Sequence, residues 1–247
     1  MKKTNLIIVL IIIIIVAGTY VLFFNKQLPQ TDNLQTIQPE TLQITEEKIV
    51  NNTAPFKIDI AYPKIAGIDY FNRKVKTAID KEINDFKTNS LANDQAVKEV
   101  DPESYAKYPR EYSLNIGYDK GQTDNKILSA MLNVYTFEGG AHGASYFIPI
   151  NYNLETKKDI VLSDVFAGQT DYLKKISDFC IKDLTKQMIA SGAIEMSDTS
   201  WIERGAGPTE ENFQFFLINQ DNTITFYFPQ YQVAAGAAGD FKVTMPR

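Results

Sequence analysis

The chain has few of the residues that most often carry metal or covalent chemistry. Its 247 residues include one histidine, His142, and one cysteine, Cys180. A single cysteine cannot form an internal disulfide, and zinc or iron sites need several histidine or cysteine ligands in one place. We therefore expect no metal and no other cofactor. Cys180 falls on the apolar face of a predicted helix, which favours a buried, unreactive thiol.

An excess of positive charge and the common catalytic motifs are also missing. The formal net charge is −5 and no basic stripe is present, so we do not expect nucleic acid as a partner. No G-x-S-x-G elbow or complete P-loop occurs, and we expect no catalytic residues. One alternative stays open, a pair of carboxylates for glycan hydrolysis, because several acids lie in or near predicted loops: Glu138, Asp164, Glu203, Glu210 and Glu211.

An apolar N-terminus is the strongest positive signal. The 19 residues from Leu6 to Phe24 are uncharged and mostly apolar. As a helix they would span about 28 Å, the thickness of a bilayer's hydrocarbon core. A cleaved signal peptide needs a shorter apolar region that ends at a small-residue site. We therefore predict an uncleaved anchor over residues 1–24. Lys2 and Lys3 favour a cytoplasmic N-terminus, which places the rest in the periplasm or at the cell surface.

Composition and periodicity divide the remainder into three regions. Residues 25–44 are polar and predict a flexible linker, followed by lobes over 45–153 and 154–247. Apolar stripes predict two principal amphipathic helices, Ile68 to Phe86 and Leu173 to Met188, and a polar connection follows the first. Period-two runs predict neighbouring strands and a hairpin near residues 220–222. Pro149 suggests an edge strand or a bulge. The fold class is therefore α+β with mainly antiparallel sheets.

Two stretches contain candidate ligand-binding residues. In "FEGGAHGASY" (137–146), Gly139 and Gly140 suit a bend between strands. His142 would fix this bend by a hydrogen bond to nearby backbone or to a carboxyl group at a strand end. The alternative is that His142 and Tyr146 contact a ligand. "SDTSWIERGAGPTEENF" has Trp201 and Arg204 in a polar, loop-like setting. An aromatic residue beside an arginine is common in recognition sites, although Trp201 would equally suit a hydrophobic edge.

Four stretches carry a resemblance to a known group of proteins. They are "FKIDIAYPKIAGIDYFNRKV", "YTFEGGAHGASY", "NYNLETKKDIVLSDVF" and "FYFPQYQVAAGAAGDFKVTMP". The first two resemble a domain found in RsiV-like anti-sigma factors and PdaC-like peptidoglycan deacetylases. The last two resemble the second domain that follows it. Together the matches span about residues 45 to 246.

The resemblance implies an α+β ectodomain at the bacterial cell envelope. In the best-understood members this module is a receptor that binds lysozyme, and in others it accompanies peptidoglycan-modifying enzymes. We expect neither a sigma-factor output, because five residues precede the apolar run, nor a His- and Asp-rich deacetylase site, because the chain has one histidine. The resulting expectation is a non-catalytic binding module for a cell-wall component or a lysozyme-like protein. The alternatives are a peptidoglycan hydrolase and a structural envelope subunit.

Overall fold

The computed structural model describes residues 42–108, 110–192 and 199–247. These residues belong to one compact unit, which contains two β-sheets with separate hydrophobic cores. This confirms the predicted α+β class, the mainly antiparallel sheets and the two long helices. None of the helices in this part of the chain is long and apolar enough to cross a membrane. The predicted anchor, Leu6 to Phe24, and most of the predicted linker lie outside the described residues.

The first sheet has six strands in chain order. They are β1 (Ile44–Asn51), β2 (Phe56–Ile65), β3 (Tyr112–Thr123), β4 (Ile127–Phe137), β5 (Ala144–Asn153) and β6 (Lys158–Asp159). All neighbours are antiparallel except β2 and β3, which are parallel. A parallel pair needs a long crossover, and helix α1 (Asp69–Val100) supplies it. A short helix, α2 (Pro102–Lys107), follows.

Helix α1 covers one face of this sheet. Its buried apolar residues are Phe71, Val75, Ile79 and Phe86, as the predicted stripe required. The predicted polar connection after Phe86 is wrong, because the helix continues to Val100. No proline or glycine interrupts residues 87–100, so polar residues with adequate helix propensity extend the helix. It ends where Pro102 restricts the preceding residue.

Strand β5 forms the edge of the first sheet over most of its length. Beyond β4, its only strand partner among the described residues is β6, which pairs at Tyr152 and Asn153. No described strand pairs with β5 on its open side at Pro149, so the backbone N–H that proline lacks is not needed there for a hydrogen bond between strands. The predicted edge position of this proline is confirmed.

The second sheet is a three-stranded antiparallel meander. Its strands are β7 (Phe216–Ile218), β8 (Thr223–Phe228) and β9 (Phe241–Pro246), and the predicted hairpin joins the first two. The helices of this half are α3 (Leu162–Val165), α4 (Tyr172–Ser191) and α5 (Ser200–Gly205). One-turn 3-10 helices lie at Glu210–Phe213 and Gly236–Ala238.

The second core lies between α4 and this sheet. Ile176, Cys180, Leu184 and Met188 are buried along α4 at the predicted spacing. Phe213 packs edge-on against Phe226 at 5.2 Å between ring centroids. The predicted burial of Cys180 is confirmed. Burial raises the pKa of its thiol well above the ordinary value, and the expected lack of reactivity stays a prediction.

A small seam joins the two sheets. Ser129 Oγ accepts a hydrogen bond from the Ile218 amide at 2.9 Å and donates one to Asn151 Oδ1 at 2.6 Å. Asn151 Nδ2 donates to the Phe216 carbonyl at 2.9 Å. Both buried side chains therefore have partners, as buried polar groups require. Four apolar side chains complete the seam: Met131, Phe147, Leu217 and Tyr227.

Candidate functional site

The turn at residues 138–143 joins β4 to β5, as predicted. Gly139 has φ +93°, and a Cβ there would lie 2.8 Å from the Tyr112 ring. Glycine is therefore required at this position. Gly140 is exposed, and a Cβ there would have its nearest neighbour, the His142 carbonyl oxygen, at 3.8 Å. Of the two predicted glycines, the turn thus depends on Gly139.

His142 is exposed at the tip of this turn. Its Nδ1 lies 2.9 Å from the carbonyl oxygen of Gly143. This is the hydrogen bond to nearby backbone that we expected from a histidine that fixes a bend. A role of His142 in ligand contact stays a prediction.

Tyr146 on β5 binds helix α1. Its hydroxyl donates to Glu82 Oε2, and the Glu82 residue is only 9% exposed. Burial, followed by the bond to Glu82, raises the pKa of Tyr146. This hydroxyl therefore holds the helix to the sheet, and a role of Tyr146 in ligand contact stays a prediction.

A tyrosine–aspartate cluster supports the turn from the side of α1. Asp94 accepts hydrogen bonds from Tyr112 at 2.5 Å and from Tyr105 at 2.7 Å. The bonds from Tyr112 and Tyr105 lower the pKa of Asp94, as does the nearby charge of Arg110. Sequence reasoning missed this cluster because Asp94 and Tyr105 lie in the stretch taken for a polar connection. The preceding Asn93 donates from Nδ2 to the carbonyl oxygen of Glu138 at 3.0 Å.

Three large exposed side chains form a second candidate site, which we call the Trp201 patch: Trp201, Arg204 and Tyr231. Trp201 lies on α5 and not in a loop, which corrects the sequence interpretation. The indole is 37% exposed and its Nε1 donates to the Tyr231 carbonyl at 3.1 Å. The Arg204 guanidinium lies 5.7 Å from the centroid of the Trp201 ring. Tyr231 is 56% exposed, so all three side chains are accessible.

The loop that carries Tyr231 is held firmly on α5. Gln232 Nε2 donates to the carbonyls of Gly205 at 2.8 Å and Asn212 at 2.9 Å. Tyr231 has φ +70°, a left-handed conformation that costs a bulky residue about 1–3 kcal/mol. Its ring packs on Gly236, where a Cβ would lie 2.2 Å from the ring. Sequence reasoning missed Tyr231, although it lies in the "PQYQVAAGAAGD" stretch that resembled the family.

The candidate residues fall into two groups. Tyr146 packs against the first core, whereas Trp201 precedes Ile202, which is buried in the second core. His142, Gly139 and Gly140 belong with Tyr146, and Arg204 belongs with Trp201.

The loop acids bind different neighbours: Glu203 accepts from Thr199 at 2.6 Å and Glu210 from Tyr172 at 2.6 Å. Within 42–108, 110–192 and 199–247, no group of three His, Cys, Asp or Glu residues could hold a metal ion.

Comparison with known protein families identifies two adjacent domains. Residues 49–145 match the family described as "Deacetylase PdaC". Residues 163–247 match the family described as "Protein of unknown function (DUF3298)". The chain is 26% identical over 234 residues to the peptidoglycan-N-acetylmuramic acid deacetylase PdaC of Bacillus subtilis, covering 94% of this chain and 46% of that protein. It is 28% identical over 130 residues to an esterase of Mycobacterium tuberculosis, 53% of each chain. The chain thus spans about half the length of the curated relatives it matches.

Solved structures show the same fold. A DUF3298 family member from Bacteroides fragilis matches with a TM-score of 0.57 at 19% identity, covering 85% of this chain and 92% of that one. A family member from Pseudomonas aeruginosa matches with a TM-score of 0.50 at 15% identity, covering 85% and 91%. At this level of identity the similarity establishes the architecture alone.

Proposed function

Because the chain pairs a PdaC domain with a DUF3298 domain, we propose that it is a membrane-anchored, extracytoplasmic binding module that recognises a cell-wall component or a lysozyme-like protein. In this proposal it binds without catalysing a reaction. The deacetylase and esterase activities named for the relatives belong to proteins about twice as long as the matched region. The anchor and the location rest on the apolar run from Leu6 to Phe24.

The Trp201 patch is the observation that carries this proposal. Tryptophan, tyrosine and arginine dominate the binding energy of protein interfaces. Their flat faces also suit stacking on sugar rings, while the Arg204 guanidinium can bind a carboxylate. The patch is held by hydrogen bonds from Trp201 and Gln232, so little conformational freedom is lost on binding.

The hydrolase alternative has less support. Glu138 follows β4 and Asp164 lies in α3. Each accepts a local hydrogen bond, Glu138 from Thr136 at 3.2 Å and Asp164 from the Val161 amide at 3.0 Å. A glycosidase needs two carboxyl groups that face each other across the substrate. The structural-subunit alternative would leave the Trp201 patch bound to another envelope protein, which crosslinking in intact cells would identify.

A binding experiment on the compact unit tests the proposal. Purified residues 42–247 would be incubated with insoluble peptidoglycan and, separately, with immobilised lysozyme. We expect retention on one of them, with Trp201→Ala and Tyr231→Ala each weakening it by about tenfold or more. Tyr108→Ala is the matched control, because Tyr108 is 58% exposed and lies after α2, away from the patch. Lack of retention on both materials, or equal retention of all three variants, would contradict the proposal.

A further inference from the structure

Two adjoining cavities lie where the edge of the first sheet meets the second half of the molecule. One has a volume of about 390 Å³ and the other about 470 Å³. Asp159 and Ile160, in and after β6, line both of them. We call the pair the junction groove. Pockets of this size hold small organic ligands, and they occur preferentially where two parts of a fold meet.

Arg247 lines the larger cavity with an incompletely satisfied guanidinium. One terminal nitrogen, Nη2, donates to Gln122 Oε1 at 3.1 Å and to the Asn219 carbonyl at 3.4 Å. Its Nε is buried and has no hydrogen-bond partner. Burial lowers the pKa of Arg247, and the carboxylates of Asp221 and Asp124 oppose that change from a distance. Because a donor buried this fully is out of a ligand's reach, an oxyanion in the cavity would meet the terminal nitrogens of Arg247 instead.

No carboxylate in the described part of the chain forms an ion pair with Arg247, although Asp221 and Asp124 act on it from a distance. No ion pair joins Arg247 or Lys158 to a carboxylate of the described residues. Asp159 is paired with Lys74, and Asp164 accepts the Val161 amide at 3.0 Å. The larger cavity therefore presents two cations, Arg247 and Lys158, that form no ion pair with its own acids, Asp159 and Asp164.

The smaller cavity has the opposite character. Glu210 and Glu211 line it, together with Gln214, and both glutamates are exposed. Glu210 accepts a hydrogen bond from the Tyr172 hydroxyl at 2.6 Å, which orients its carboxylate. Hydrogen bonds from its own backbone amide and from Thr209 lower the pKa of Glu211, so this carboxyl is ionised at neutral pH. The groove thus offers anion-binding and cation-binding groups at neighbouring positions.

We propose that the junction groove binds a short zwitterionic peptide, whose carboxylate lies at Arg247 and Lys158 and whose ammonium group lies at Glu210 and Glu211. A guanidinium matches a carboxylate in a planar, two-bond geometry. A dianionic phosphate is less suitable, because the acids of the adjoining cavity repel it. The groove shares no residue with the Trp201 patch, so it is a second binding site.

Titration with capped and uncapped dipeptides tests this assignment. Residues 42–247 would be titrated at low ionic strength with alanylalanine, its C-terminal amide, its N-acetyl derivative and inorganic phosphate, and followed by calorimetry. We expect binding of the free dipeptide and a loss of about tenfold to a hundredfold for the amide, because one charged hydrogen-bonding partner is removed. The acetyl derivative should bind more weakly than the free dipeptide, and phosphate should bind more weakly still.

Variants assign the two ends of the ligand. Arg247→Gln and Lys158→Met should each reproduce the effect of the amide, and Glu210→Gln should reproduce the effect of acetylation. Lys182→Met removes an exposed lysine of α4 that lines neither cavity and should leave the affinity unchanged. Arg247 also binds Gln122 and Asn219, so Lys158→Met, at an exposed side chain, keeps the test valid if Arg247→Gln fails to fold. Equal binding of the dipeptide and its amide, preference for phosphate, or no binding at all would overturn the proposal.

Discussion

The two halves of the molecule each carry a glycine-containing loop on a hydrophobic core, but they support it by different means. The turn at 138–143 rests on polar contacts between α1 and the first sheet, such as Asp94 with Tyr112 and Asn93 with the Glu138 carbonyl. The loop around Tyr231 rests on α5 through Gln232, above the mainly apolar second core. The first loop presents mainly His142 at its tip, whereas the second presents Tyr231 beside Trp201 and Arg204 of α5.

Under the proposed function, this difference separates a structural turn from a recognition surface. The polar groups beneath the first turn bind one another, since Glu82 pairs with Tyr146 and Asp94 with two tyrosines. Few of their donors and acceptors are therefore left to bind a ligand. In the second half, the strained backbone of Tyr231 holds a large aromatic ring in an exposed position. Four mutational tests, in order of decreasing expected effect, examine this contrast.

The largest effect is expected from a cavity in the second core. Phe213 is 1% exposed and contacts Phe226 and Phe228 edge-on. Phe213→Ala should lower the free energy of unfolding by about 3–5 kcal/mol, measured by urea denaturation. Phe86→Ala, at a residue equally buried in the first core, is the matched variant. Because the seam joins the cores, each variant should show one shifted transition. Two separate transitions, with only one of them shifted, would show that the halves unfold independently.

The turn itself should depend on one glycine. Gly139→Ala places a Cβ against Tyr112 at a positive φ and should lower stability by about 1–3 kcal/mol. Gly140→Ala is the control and should change stability by less than about 0.5 kcal/mol. Thermal and urea unfolding measure both. Equal effects of the two substitutions would show that the turn adopts a different backbone from the one described.

Acid should weaken the first half through Asp94. Its pKa is lower in the folded state than in the unfolded chain, because Tyr112 and Tyr105 donate to its carboxylate. Its stabilising effect is therefore complete above about pH 4 and is lost as the pH falls through the lowered folded-state pKa. Asp94→Asn should reduce the slope of unfolding free energy against pH in this range. Asp119 and Asp124 also have lowered pKa values, so part of the slope should persist. An unchanged slope in Asp94→Asn would contradict the described hydrogen bonds.

His142 should give the smallest effect. Its side chain is exposed and has one hydrogen bond, to the adjacent Gly143 carbonyl. His142→Ala should therefore reduce the free energy of unfolding by less than about 1 kcal/mol, with retention on peptidoglycan or lysozyme unchanged. If this variant folded normally but lost binding, the turn would be a contact site and the contrast between the two halves would fail.

Local periodicity predicted most of the secondary structure. The runs that became β2 to β5, the hairpin of β7 and β8, and the buried face of α4 all follow two-residue or helical spacing. Strand β1 was not predicted, because charged residues such as Glu46, Glu47 and Lys48 conceal its alternation, as is common at sheet edges. The parallel pairing of β2 with β3 depends on contacts across a 32-residue helix. No local pattern encodes such a contact.

The candidate sites were predictable only in part. Trp201 and Arg204 were found from residue type, but their neighbour Tyr231 is 30 residues away in sequence from Trp201. Asp94 was missed because a single charged residue in a polar stretch has no distinctive spacing. Arg247 was missed because a lone arginine after a strand has none either. Their environments arise when distant segments pack together, and residue type alone does not reveal this.

The single cysteine supplies a natural probe of how often the second core opens. The Cys180 side chain is fully buried in the second core, and the chain has no other thiol. A thiol-reactive reagent can therefore modify the unaltered protein only when that core opens. The labelling rate, followed with and without a ligand in the junction groove or on the Trp201 patch, would report how strongly each binding event restrains the second half of the molecule.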